Sequence, residues 1–217
     1  MPENHWPVRV AVNVMRARLT VLGFNIAIVS FQIVQLDRAW GGIRVPGIDH
    51  ALHVGADMSL LMSLALSVVA LIVFIMSCAF DEVGYCTHWT LVAGDVLMYL
   101  ALAQTVAGFF WPWKEALEIL ATKLPERASD ISVLHSGLFA AGGVAWFLAS
   151  YAGPAVSLLR SPFPRRTNIS LGIAYLVALV ALAWVSFHAV RVEAAVSGDA
   201  PGLIFSVLKE LVQPLRW

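Results

Sequence analysis

The chain has 217 residues, of which 59% are hydrophobic and 13% charged, with a formal net charge of zero and a mean hydropathy of +0.79. Soluble globular proteins carry about 25% charged residues, so this composition and its long apolar runs point to an all-α integral membrane protein. The balanced charge gives no footing to a nucleic-acid partner, and two cysteines, Cys78 and Cys86, are too few for a zinc or disulfide framework.

Arg9, Arg16 and Arg18 precede the first apolar run, and no small-residue cleavage site follows a short apolar core. That run, about 19–36, is therefore expected to remain as an anchor. Further spans are expected over about 57–79, 89–110, 131–152 and 171–190, each near the roughly 20 residues that cross a hydrocarbon core of about 30 Å. One polytopic domain of five transmembrane helices accounts for the chain, without internal repeats.

The connections carry their own signals. After the third span, "WPWKEALEILATK" sets Ala116, Leu117, Ile119 and Leu120 against Lys114, Glu115, Glu118 and Lys123, predicting a short amphipathic helix in the interface over about 113–124. "RSPFPRRTNIS" is a proline-containing loop with Arg160, Arg165 and Arg166, and the tail over about 202–213 reads as a second interfacial helix. The cations Arg9, Arg16, Arg18, Arg160, Arg165 and Arg166 are concentrated beside spans, whereas the other eight Lys and Arg are spread through longer segments. The positive-inside tendency then puts the N-terminus in the cytoplasm, with a bacterial inner membrane as the expected location.

The polar residues bear on function. "PGIDHALHVGAD", residues 46–57, places Asp49, His50, His53 and Asp57 at the head of the second span. If the helix begins near Pro46, these four sit at about 0°, 100°, 40° and 80° around its axis, within one quadrant. With five spans, His135 near the start of the fourth and His188 near the exit of the fifth reach the same membrane face. Gln32, Gln35 and Asp37 of the first span reach it too. Imidazole and carboxylate are the usual ligands of divalent transition metals. Asp49, His50, His53, Asp57, His135 and His188 are therefore the candidate metal ligands, in a protein for cation transport or permeation. The bland alternative is that Asp49 caps the helix and the histidines rest in the interface without a ligand.

Asp95, about six residues into the third span, is an ionisable residue within the membrane and a candidate step on an ion pathway from the opposite face. Asn25 and Gln104 read as hydrogen-bonding glue between helices, and Gly137, Gly142 and Gly143 as a close helix contact.

Two fragments resemble known families. "YCTHWTLVAG", with His88 before Trp89, resembles the opening of a span in transmembrane b-type cytochromes, where the histidine is an axial haem ligand. In that setting His135 and His188 are the candidate cofactor-binding pair for haem b, or for a quinone, in a membrane subunit of a redox complex. "GIDHAL" is similar to a stretch of small nickel and cobalt permeases; where that family has a histidine six residues before the aspartate, this chain has Ile43. A third possibility is a non-catalytic structural subunit. The expected partners are the lipid bilayer and other chains, as a homo-oligomer or a subunit of a larger membrane complex. No catalytic residue is assigned.

Overall fold

The structure is a computed structural model, and it describes residues 8–9, 12–36, 42–43, 52–79, 85–86, 88–197 and 211–212. The described chain is helical: α1 (Val12–Leu36), α2 (Val54–Ala79), α3 (Thr90–Lys123), α4 (Ala128–Phe147), α5 (Gly153–Leu159) and α6 (Arg165–Ser197). One antiparallel pairing of two-residue strands, β1 (Val8–Arg9) with β2 (Tyr85–Cys86), accompanies them. A π-helical turn, Leu148–Ala152, joins α4 to α5, so the fourth span is one rod from Pro125 to Leu159. Among the described residues, five helices are long and apolar enough to cross a membrane.

Burial sorts these spans into a centre and a rim. In α3, 72% of the apolar window is buried, against 22–33% in the other four. Its inward positions include five small residues, Gly94, Ala101, Ala103, Ala107 and Gly108. Lipid tails are as apolar as leucine, so helices associate by close backbone approach rather than by hydrophobic exclusion, and small residues permit it. α2 packs most extensively on α3, α1 lies on both, α4 packs on α3, and α6 packs on α2.

The α2–α3 contact is an antiparallel seam with a heptad rhythm. Ala56, Leu60, Ser63, Ser67, Ala70, Phe74 and Ser77 are buried along α2 at alternating steps of four and three; Leu91, Gly94, Met98, Ala101, Thr105 and Gly108 answer along α3. Large faces small. A Cβ on Gly94 would lie 2.7 Å from the Phe74 ring, and one on Gly108 would lie 2.6 Å from Leu60 Cγ. Phe74 also packs with Leu22, Ala70, Leu91 and Met98.

Two boundaries differ from those expected. The stretch 113–124 is not a separate interfacial helix, because α3 continues through Pro112 to Lys123. Pro112 removes one backbone donor, a loss that neighbouring helices make tolerable in a membrane. At about 1.5 Å per residue, the 34 residues of α3 extend about 51 Å, well past the hydrocarbon core. The second helix starts at Val54 rather than near Pro46. The expected tail helix over 202–213 lies almost wholly outside the described residues; within it, the Leu211 carbonyl accepts a hydrogen bond from the Tyr151 hydroxyl.

Candidate functional site

Because α2 begins at Val54, His53 precedes the helix and Asp57 lies in its first turn, where a carboxylate complements the helix dipole. The His53 carbonyl accepts the Asp57 N–H at 2.8 Å, so His53 caps the helix whose first turn holds Asp57. His53 is 1% exposed. Its Nδ1 lies 3.1 Å from Glu115 Oε2, so Nδ1 carries the proton toward an ionised carboxylate. Glu115 also accepts from Trp111 Nε1 at 2.9 Å and from the Gly42 N–H at 3.3 Å. Three donors from three segments thus converge on one carboxylate.

The backbone makes room for this. Ile43 and Leu52 exchange both backbone hydrogen bonds, at 2.8 and 2.9 Å, pinching the α1–α2 connection at its base. Gly42 stands at φ 75°, and a Cβ there would meet the Leu52 carbonyl at 2.8 Å and the His53 ring at 3.1 Å. Only glycine meets both demands. Beside this cluster, Glu193 of α6 accepts the Gly55 N–H at 2.7 Å, an anion from one helix stabilising the N-terminus of another.

Mid-membrane there is a second polar group. Asn25 Nδ2 donates to Ser67 Oγ at 2.9 Å and to Ser63 Oγ at 3.1 Å, while its Oδ1 accepts from Thr105 Oγ1 at 2.7 Å. Ser63 Oγ lies 2.5 Å from Thr105 Oγ1 and 2.8 Å from the Ala101 carbonyl. All four side chains are buried and come from α1, α2 and α3.

A third group lies toward the start of α3. Asp95 pairs with Arg18 of α1 in a two-pronged contact, Nη2 to Oδ2 at 2.7 Å and Nε to Oδ1 at 2.6 Å. The Arg18 guanidinium also sits 5.9 Å from the centre of the Phe74 ring.

Asp95, Thr105 and Glu115 are ten residues apart on α3, so at about 1.5 Å per residue they mark its axis at intervals of about 15 Å and span about 30 Å, the thickness of a hydrocarbon core. Apolar layers separate them: Leu22, Ala70, Phe74 and Met98 on one side of Thr105, and Val29, Ala56 and Leu60 on the other.

The remaining expected ligands are not drawn together. His135 is half-buried on α4, which packs on α3 and makes no substantial contact with α2 or α6 among the described residues. His188 is exposed, its ring 4.9 Å from Trp184. Glu193, five residues on, faces α2; five helical steps turn about 140°, which directs His188 away. His88 stays beside Trp89, with Nδ1 3.1 Å from Thr90 Oγ1. Asp49 and His50 lie outside the described residues. Among the described residues, no group of three or more His, Cys, Asp or Glu side chains is arranged to hold a metal ion.

Sequence reasoning missed Arg18, Glu115 and Glu193. Arg18 was within reach, since α1 and α3 enter from the same face and both residues stand about a turn and a half inside their helices. Glu115 was hidden by reading its helix as interfacial. Compared with known proteins, the chain matches no protein family, no characterised protein and no solved structure.

Proposed function

We propose that the chain passes a cation across the membrane, most simply a proton, along the core formed by α1, α2 and α3. The supporting observation is the series of polar stations on α3, at Asp95, Thr105 and Glu115, completed by Arg18 and Asn25 of α1, Ser63 of α2, and His53 just before α2. Ionisable groups within a membrane are costly and by default mark ion or proton paths. Hydroxyl and amide groups both donate and accept, so the Asn25–Ser63–Thr105 group can hand a proton or a polarised water from one end toward the other. The apolar layers between stations keep the path closed until the helices shift.

His53 and Glu115 form the mouth on one face, with Asp57 in the adjoining helical turn. A transition-metal cargo would add Asp49 or His50 from the connecting segment; a proton needs no such shell. The membrane we assign is the bacterial inner membrane, with the N-terminus cytoplasmic.

The test is flux into liposomes holding the purified protein and a pH-reporting dye, under an imposed potential. Wild type is expected to acidify or alkalinise the lumen faster than empty vesicles. Asn25→Leu and Asp95→Asn, inserted to the same extent, are expected to cut the rate by roughly tenfold or more, as loss of a buried polar partner worth about 1–3 kcal/mol implies. Flux equal to that of empty vesicles for proton, sodium and potassium gradients alike overturns the reading.

A further inference from the structure

A groove lies between the C-terminal end of α1 and the stretch of α3 around Pro112. It has a volume of about 330 Å³ and is lined by Gln32, Gln35 and Leu36 on one side and Phe109, Pro112 and Trp113 on the other. That volume is at the lower end of ligand cavities, about 300–1,000 Å³, and suits a single ring with its tail outside. We infer that this groove binds a lipid-soluble quinone: a neutral, flat ring bearing carbonyl groups, with an apolar tail running into the bilayer.

The chemistry of the lining selects the ligand class. Among the described residues its polar groups are two neutral amides, and no Lys or Arg contributes. A phospholipid phosphate is held by basic side chains, and a charged headgroup finds no counter-ion among the described lining residues. Each amide offers two N–H donors and one carbonyl acceptor, which match the carbonyls of a quinone and equally the hydroxyls of its reduced form. Phe109 and Trp113 add aromatic side chains to the lining, which suit a planar ring. Pro112, which has no N–H, leaves the Gly108 carbonyl without its helical donor at the same level of α3.

The position also suits an amphiphile. Gln32 and Gln35 occupy the last turns of α1, at the membrane boundary that carries His53 and Glu115. Trp113, which lines the groove, is 57% exposed, so the groove opens at the outer surface of the bundle rather than into the helix core. A ligand of this kind arrives through the membrane, and an amphipathic indole at its mouth belongs at the headgroup level.

The groove shares no residue with the three polar stations, so quinone binding and cation flux stand or fall separately. The probe is a short-tailed benzoquinone, titrated into the purified protein in detergent and followed by retention on the protein after ultrafiltration. Saturable binding near one per chain is expected. Gln32→Leu with Gln35→Leu is expected to weaken it about tenfold or more, for two lost hydrogen bonds of roughly 1 kcal/mol each. Ala116→Trp, which fills the groove, is expected to abolish saturable binding while the helical circular dichroism is unchanged. Retention that never saturates, or saturable retention identical in all three proteins, overturns the inference. So does native mass spectrometry showing a phospholipid held by wild type, lost in Ala116→Trp and not displaced by the benzoquinone.

Discussion

Separating Arg18 from Asp95 gives the sharpest energetic test of the core. Their two contacts are 2.6 and 2.7 Å, and the side chains are 19% and 8% exposed. Taking one partner from a buried pair costs about 3–5 kcal/mol, because the survivor is left charged without compensation. The two losses are unequal here. A guanidinium on a long stem can turn toward the headgroups, whereas an aspartate with one methylene cannot. Asp95→Leu is therefore expected to cost about 2–3 kcal/mol, and Arg18→Met about 3–5 kcal/mol. Replacing both with apolar side chains leaves no orphan charge, so the double variant should fall within about 1 kcal/mol of wild type. The assay is reversible unfolding in mixed micelles, titrated with a denaturing detergent and read by circular dichroism. The cycle should show a coupling of several kcal/mol. Single-variant losses that add to within about 0.5 kcal/mol would refute the reasoning, since independent sites behave that way.

Two further predictions concern the ends of the α2–α3 seam. Gly94→Ala presses a methyl into the rigid, buried Phe74 ring and should destabilise the protein by about 1–3 kcal/mol in the same assay. With Phe74→Leu already present the effect should vanish or reverse, as alanine's helix propensity, worth about 1 kcal/mol over glycine, comes through; an unchanged penalty in that background counts against the packing argument. At the other end, Glu115→Ala strands three donors and should cost about 2 kcal/mol while speeding amide hydrogen exchange at Ile43 and Leu52. Glu115→Gln, which keeps an acceptor, should do markedly less, and equal effects of the two would rule out the hydrogen-bonded role.

What the sequence disclosed follows from what each pattern measures. Hydropathy over twenty residues reports transfer into lipid, so all five spans were legible, and counting them placed His53 and Asp95 at opposite faces. Hydropathy is blind to lateral neighbours. It therefore brought His135, His188 and His53 to one level without revealing that α4 packs against α3 or that His188 turns outward. The quadrant of Asp49, His50, His53 and Asp57 assumed a helix from Pro46, whereas Leu52 bridges to Ile43 and α2 begins at Val54. Asn25 was readable as a bonding residue, but its partners Ser63, Ser67 and Thr105 become visible only once the antiparallel register is known.

That register has a consequence for assembly. Stepping back along α2 is matched by an equal step forward along α3, so Phe74 meets Gly94, Ser63 meets Thr105, Leu60 meets Gly108 and His53 meets Glu115. Slide one helix by a heptad in one sense, and Leu60 faces Glu115 while Ser63 faces Pro112. Slide it the other way, and Ser63 faces Met98 while His53 faces Gly108. Each misalignment wastes a glycine notch and strands a polar group in hydrocarbon. Inserted helices that drift together in the bilayer therefore meet something like a key with one cut, and α2 and α3 can lock before α1 arrives to close the polar core.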